Sequence, residues 1–525
     1  MKLNQVAPGS LASRRLFLRQ MGALGGLGVA APFAMNLAAL GSAAAAGATD
    51  YKALVCLFMY GGNDSFNMFL PTDTASWTNY TNLRNQAPES IALLAPGTPA
   101  STTGAVGSPQ RLGGVLPITP ATARTAPGGG TQTFALHPSM TALRTLFNTD
   151  KRLAVVANVG PLLQPTTKAQ YAQESHAKPA KLFSHNDQQN TWQAFAPEGA
   201  TQGWGGRLAD MMVAQNDKPI FSAISAAGNA VWLSGQTVRQ YQMSSAGPVK
   251  LGVDSTGRIF GSADVGGAMA NVVRKARSGS RFEKDVVDLY GRSIDAELAL
   301  STALKPASDP LFGTPPTSGA YNAGTDPKLQ FDDPVTGTRR FNGLAAQLQM
   351  VARAIEARNA AGVGAGRQVF FVSIGGFDTH DYENTQHATL YSQINQALKY
   401  FDDALGALNL RNSVTTFTGS DFGRTFTSNG DGTDHGWGSH HLIMGGAVRG
   451  GDVYGQVPVL GAKNKTNNNF DSSPDQVGNG ALLPSTSVDQ YGATLARWFG
   501  LSETQLLDVF PNLKNFGSRN LGFMA

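Results

Sequence analysis

Three segments of the 525-residue chain repeat one pattern, an apolar run, then glycine, then an aspartate. Tyr51–Tyr60 leads into Gly61-Gly62-Asn63-Asp64-Ser65, and Val369–Ile374 into Gly375-Gly376-Phe377-Asp378-Thr379-His380. Val414–Thr418 leads into Gly419-Ser420-Asp421-Phe422-Gly423-Arg424. The chain has eight histidines, and His435, His440 and His441 fall in one short glycine-rich stretch. Carboxylate oxygens with imidazole nitrogens suit a divalent cation, zinc or manganese first, with calcium or magnesium as alternatives. The candidate ligands are Asp64, Asp378, His380, Asp421, His435 and His440, with Asp434 and His441 behind them. Asp434 or Asp381 could orient a ligating imidazole through its other nitrogen. Two ions about 4 Å apart would clamp both the attacked ester and its leaving oxygen. Each element also has a plainer reading: Asp378 and Asp64 as helix caps, Asp434-His435 as a surface pair.

Arg424 follows Asp421 by three residues and flanks Gly423. Its planar fork would hold a phosphate, sulfate or carboxylate, or else pair with a nearby acid. Two serines compete as nucleophile. Ser175 follows the apolar run Leu153–Val159 after a loop with Pro161 and Pro165. At a helix start it would be surrounded by free N–H groups suited to an oxyanion. Ser65 adjoins Asp64, and a metal-bound hydroxide would need neither serine.

Such residues need a scaffold that brings distant segments together. The three apolar runs read as strands covered on both faces. Helical periodicity lies between them: 139–148, 341–359, 385–408, 488–499 and 503–509. Further strand candidates are 153–159, 220–224 and 442–444. Strands alternating with helices predict an α/β fold, a large mostly parallel sheet with helices on both faces. Ligands of such sheets collect beyond the carboxyl ends of the strands, where the three aspartates stand. One domain spanning 47–525 is expected, with insertions near 95–133, 225–340 and 464–480.

Residues 1–46 read as an export signal. Ser13-Arg14-Arg15-Leu16-Phe17-Leu18 precedes a weakly apolar, glycine-rich segment and a small-residue region, Gly41–Ala46. Paired arginines in that setting are the twin-arginine address, so a periplasmic or otherwise exported protein is expected. After cleavage no stable membrane span is expected, because no later stretch has 18 consecutive apolar residues. The formal charge of +5 belongs mostly to this leader; without Lys2, Arg14, Arg15 and Arg19 the body carries 37 basic and 36 acidic residues. So balanced a body lacks the basic stripe of a nucleic-acid binder. The single cysteine, Cys56, excludes an internal disulfide.

The segments around Asp64, Asp378-Thr379-His380, Asp421-Phe422-Gly423-Arg424, Asp434-His435-Gly436-Trp437-Gly438 with His440, and Gly203–Leu208 resemble the bacterial domain-of-unknown-function family 1501. That family is similar to the alkaline phosphatase and sulfatase superfamily. The resemblance implies an alkaline-phosphatase-like α/β fold with metal ligands at strand ends. It implies a serine, threonine or modified cysteine that attacks phosphate or sulfate esters. Asp64 would be the first-strand metal aspartate, and Asp378 with His380 the later pair. Asp421 would be the next ligand, His435 or His440 the last, and Ser175 the nucleophile. The chain departs by placing Phe422 where a histidine commonly follows the aspartate, which weakens a two-metal centre. The expected function is an exported metal-dependent hydrolase of phosphate or sulfate esters, acting on a small anionic ester or polymer. The alternative is a non-catalytic envelope protein that binds or assembles with a protein partner on the same scaffold.

Overall fold

A computed structural model describes residues 50–249, 258, 262–275, 280–467 and 469–525. The expected signal at 1–46 lies outside them. Tyr51–Ala525 form one compact unit. Among the described residues no helix is long and apolar enough to cross a membrane.

Ten strands make the main sheet: β1 (Lys52–Met59), β2 (Leu153–Gly160), β3 (Ala223–Ser225), β4 (Tyr241–Ser244), β5 (Gly247–Pro248), β6 (Arg367–Ile374), β7 (Val414–Ser420), β8 (Ser439–Met444), β9 (Val453–Tyr454) and β10 (Thr486–Ser487). Their order is β9-β2-β8-β7-β1-β6-β3-β4-β5, with β10 beside the end of β2. The sheet is mostly parallel. β8 runs antiparallel to both β7 and β2, and β5 antiparallel to β4. Residues 241–248, expected within an insertion, instead extend the sheet edge.

Alternation along β1 shows why its run is apolar throughout. Val55, Leu57 and Met59 face one core, and Leu54, Cys56 and Phe58 the other. The first core is closed by α2 (Thr141–Asn148), α5 (Gly343–Glu356) and α6 (Glu383–Ala407). The second is closed by α3 (His185–Ala194), α4 (Trp204–Met212), α7 (Val488–Phe499) and α8 (Glu503–Val509). A strand with no solvent face cannot alternate polar and apolar residues. A further helix, α1 (Thr74–Arg84), packs beside Arg424–Ser428 and carries the arginine that decides the fate of Asp64.

Register places the site. Met59 pairs with Ile374 on β6 and with Ser420 on β7. The three central strands therefore end at one level, and the residues just beyond them meet.

Candidate functional site

Gly61 and Gly62 make this meeting close enough for chemistry. Gly61 has φ +113°, and a Cβ there would stand 2.3 Å from the backbone nitrogen of Asp378. Gly62 has φ +83°, and its Cβ would stand 2.2 Å from the Phe422 ring. Both positions need glycine for space and for conformation. The backbone N–H of Gly61 donates to Asp421 Oδ2 at 3.1 Å, tying β1 to the end of β7.

Asp421 is fully buried, and its Oδ2 also receives His185 Nδ1 at 2.8 Å and Gln189 Nε2 at 2.8 Å. His185 and Gln189 lie one turn apart in the first turns of α3, so one helical face presents both donors. With Nδ1–H given to Asp421, His185 turns Nε2 toward Asp378 Oδ2, 3.4 Å away. Two more imidazoles reach the other oxygen. His380 Nε2 stands 3.0 Å and His435 Nε2 3.4 Å from Asp378 Oδ1. The two rings bring those nitrogens within 3.1 Å of each other.

The far side of each ring is held. His435 Nδ1 lies 2.8 Å from the carbonyl of Phe183, which only accepts, so Nδ1 carries the proton. The neutral ring then offers Nε2 as a lone pair. Asp434 Oδ1 stands 3.5 Å from His380 Nδ1. Phe422 walls the cluster, its ring 4.8 Å from His185 and 4.7 Å from His435.

Arg424 stands behind the cluster rather than open to a ligand. Its side chain is buried and donates to Asp378 Oδ1 at 2.7 Å, to the Gly61 carbonyl at 3.2 Å, and to the hydroxyl and carbonyl of Thr433. Burial alone would raise the Asp378 carboxyl; the hydrogen-bonded guanidinium outweighs it and holds the group below its usual range. The hydrogen bond to Asp421 lifts His185 above the ordinary histidine value, while burial lowers His435.

Asp64, His440, His441 and Ser175, named from sequence, stand elsewhere; His441 lies in the core against Trp192 and Tyr491. Asp64 turns inward, caps Phe66 N–H at 3.1 Å and pairs with Arg84 of α1. His440 is buried beneath Phe69 and accepts the Asn158 N–H at Nδ1, 3.0 Å. Ser175 is exposed in a turn after the short helix Lys168–Tyr171, not at a helix start. The structure brings Asp378, His380, His435 and Asp421 together and adds His185 and Gln189, which the sequence reading passed over. Their signal was the start of α3 after Ser184, hidden in a polar stretch.

A divalent cation fits these donors. The ligating atoms of His185, Asp378 and His435 lie within 4.8 Å of one another. His380 Nε2, His435 Nε2 and Asp378 Oδ1 form a triangle with edges of 3.0, 3.1 and 3.4 Å. Tetrahedral zinc with bonds of about 2.0–2.1 Å separates its ligands by roughly 3.3 Å. Asp421 Oδ1, buried with no hydrogen-bond partner, is a further orphaned acceptor at the same end of the sheet.

Fold and site together define an α/β protein with an imidazole–carboxylate cluster beyond the central strands. The chain belongs to the family described as protein of unknown function (DUF1501), which matches residues 51–510. No curated protein matches it. Among solved structures it is similar to a Bacteroides thetaiotaomicron sulfatase of glycosaminoglycan metabolism, at 7% identity and a TM-score of 0.29, over 77% of this chain and 69% of that one. It is also similar to alkaline phosphatase from the Antarctic bacterium TAB5, at 8% identity and a TM-score of 0.25, over 75% and 91%. Likeness that faint does not reach to chemistry.

Proposed function

We propose that the chain is an exported, metal-dependent hydrolase of phosphate or sulfate esters, working at a single metal centre. The observation that carries this reading is the convergence of three Nε2 atoms on the Asp378 carboxylate, two of them 3.1 Å apart. His380, His435 and Asp378 are the metal-holding residues. A divalent ion held there would polarise an ester oxygen and lower the pKa of water. Asp421 fixes the tautomer of His185 and keeps the ring protonated to higher pH, which suits it to hand a proton to a leaving oxygen. Arg424 keeps Asp378 ionised. Asp64, already paired with Arg84, argues for one metal rather than two.

The twin-arginine leader supports export, with small anionic esters or an anionic polymer as the substrate class. Elemental analysis of the mature protein, beside turnover of aryl phosphate and aryl sulfate, tests the reading. About one equivalent of zinc or manganese is expected, and Asp378→Ala should lose both metal and turnover. A folded protein without metal, whose hydrolysis survives that substitution, would sink it. The buried position of Arg424 favours a second reading, a non-catalytic envelope protein that binds a partner, since the guanidinium is closed to a substrate anion. Stoichiometric metal without turnover of either ester class would favour that reading.

A further inference from the structure

Behind the cluster a chain of hydrogen bonds runs from the sheet end into the core. Arg424 donates Nη1 to Asp378 Oδ1 at 2.7 Å and Nε to Thr433 Oγ1 at 3.2 Å. Thr433 Oγ1 lies 2.6 Å from Glu383 Oε2, which also takes the Thr379 hydroxyl at 3.2 Å. A threonine hydroxyl has one proton, and its lone pairs face the guanidinium. The proton therefore goes to Glu383, and the hydroxyl cannot turn without losing both partners. Glu383 is fully buried at the first turn of α6. Its Oε1 is fixed separately, by Asn67 Nδ2 at 3.2 Å and by Arg84 Nη1 at 3.6 Å. Arg424, Thr433 and Glu383 are all buried, so a missing partner among them leaves an unsatisfied group rather than a hydrated one; only Asp378, at the outer end, is exposed.

We infer that Glu383 is a positioning residue for the candidate metal site: through the Thr433 hydroxyl it fixes Arg424, and through Arg424 it aims Asp378. This rests on the proposed metal centre. Glu383 is not itself one of the metal-holding residues. It accepts at both oxygens, at Oε2 from Thr433 and Thr379 and at Oε1 from Asn67, so a glutamine keeps the acceptor for Thr433 only by setting an NH2 against the Asn67 amide. A partner hydrogen-bonded to a ligand sets the orientation in which the ligand meets its ion; Arg424 is that partner, and Glu383 stands two hydrogen bonds further back.

The experiment compares parent, Thr433→Val, Glu383→Gln and Glu383→Leu as full mature proteins. Zinc affinity is read by chelator competition, and folding by thermal midpoint. Thr433→Val keeps the shape and removes only the hydroxyl, so zinc should bind about tenfold more weakly or worse, with the fold intact. Glu383→Leu should weaken zinc binding like Thr433→Val, and Glu383→Gln, which keeps an oxygen for Thr433 but loses the acceptor for Asn67, should fall between the parent and Glu383→Leu. Parent-like zinc affinity in Thr433→Val would overturn the inference, even if Glu383→Leu fails to fold. If the parent itself binds no zinc, the proposed function falls instead. The relay is then decided by crystals of Thr433→Val: Asp378 swung away from Arg424 upholds it, and an unmoved pair overturns it.

Discussion

Arg84 decides what Asp64 can do. Both side chains are wholly buried, and Arg84 reaches Asp64 through both terminal nitrogens while passing over the Phe66 and Phe426 rings. Burial alone would raise the Asp64 carboxyl, but the guanidinium holds it below its usual range. Glu383, with only a share of that cation, is instead pushed well up, chiefly by burial and then by Asp64. The three groups thus carry about one negative and one positive charge, a neutral set that a buried site tolerates. Arg84→Met leaves Asp64 ionised beside Glu383 with no counter-charge, and should cost about 3–5 kcal/mol in denaturant unfolding. Replacing Asp64 by Leu in the same chain should recover part of that loss, because a removed pair costs less than a broken one. Asp64→Asn should destabilise the fold yet leave the bound metal at one equivalent, and loss of the metal there would return Asp64 to the ligand set.

At the scale of elements, the site is a consequence of register. β1 pairs with β6 through Met59 and Ile374, which sets Gly61 against Asp378. Gly61→Ala introduces a Cβ into backbone rather than into a flexible side chain, at a φ that alanine resists. The strand ends must part, so this substitution should lower zinc affinity and turnover together with the thermal midpoint. Parent-like affinity, turnover and midpoint in Gly61→Ala would show that the ends are not held as closely as 2.3 Å implies. How much of this could be read in advance follows from the elements themselves. β1, β6 and β7 are long and buried on both faces, and α5, α6 and α7 carry clear apolar stripes, so their residues declare them. β8 was legible as a strand but not as an antiparallel one, because an apolar run carries no direction. β4 and β5 are too short to show a period. α3 reads HNDQQNTWQA, polar enough to pass for a loop, so His185 went unseen although its acid partner Asp421 was recognised. Nor does spacing say which aspartate will find an arginine: Asp64 and Asp378 share the same local pattern, and only packing gives α1 to one and Arg424 to the other.

For the whole molecule, buried imidazoles set the response to acid. His137, His387, His440 and His441 are almost or wholly inaccessible, and burial lowers all four: His137 well below its usual value, His387 to about 4, His440 and His441 to about 3. Above about pH 6.5 they are uncharged folded or unfolded and contribute no slope. As pH falls below that, the unfolded chain takes up protons that the folded chain refuses, and each ring removes about 1.4 kcal/mol per pH unit. Three buried acids oppose this. Asp489 is pushed up to about 7, and Glu383 and, less deeply buried, Asp475 are also pushed upward, all chiefly by burial, so they hold protons in the folded state that the unfolded chain has released. Between about pH 4.5 and 6.5 these four rings, joined by the half-buried His435, work against three acids, which leaves a net loss of up to roughly two protons' worth. Below about pH 4.5 the acids no longer help, and Asp64 and Asp378, both held low, add to the loss. Urea unfolding of the metal-free protein at intervals from pH 4 to 7 should therefore show stability falling with acid and falling faster below about 4.5. Equal stability at pH 5 and pH 7 would refute the balance. His441 is the ring to change, since its Nε2 has no partner and its faces meet Trp192 and Tyr491 at 5.8 Å. His441→Phe fills nearly the same space without a proton to refuse, so it should flatten the acid slope by about one proton while leaving the metal site loaded.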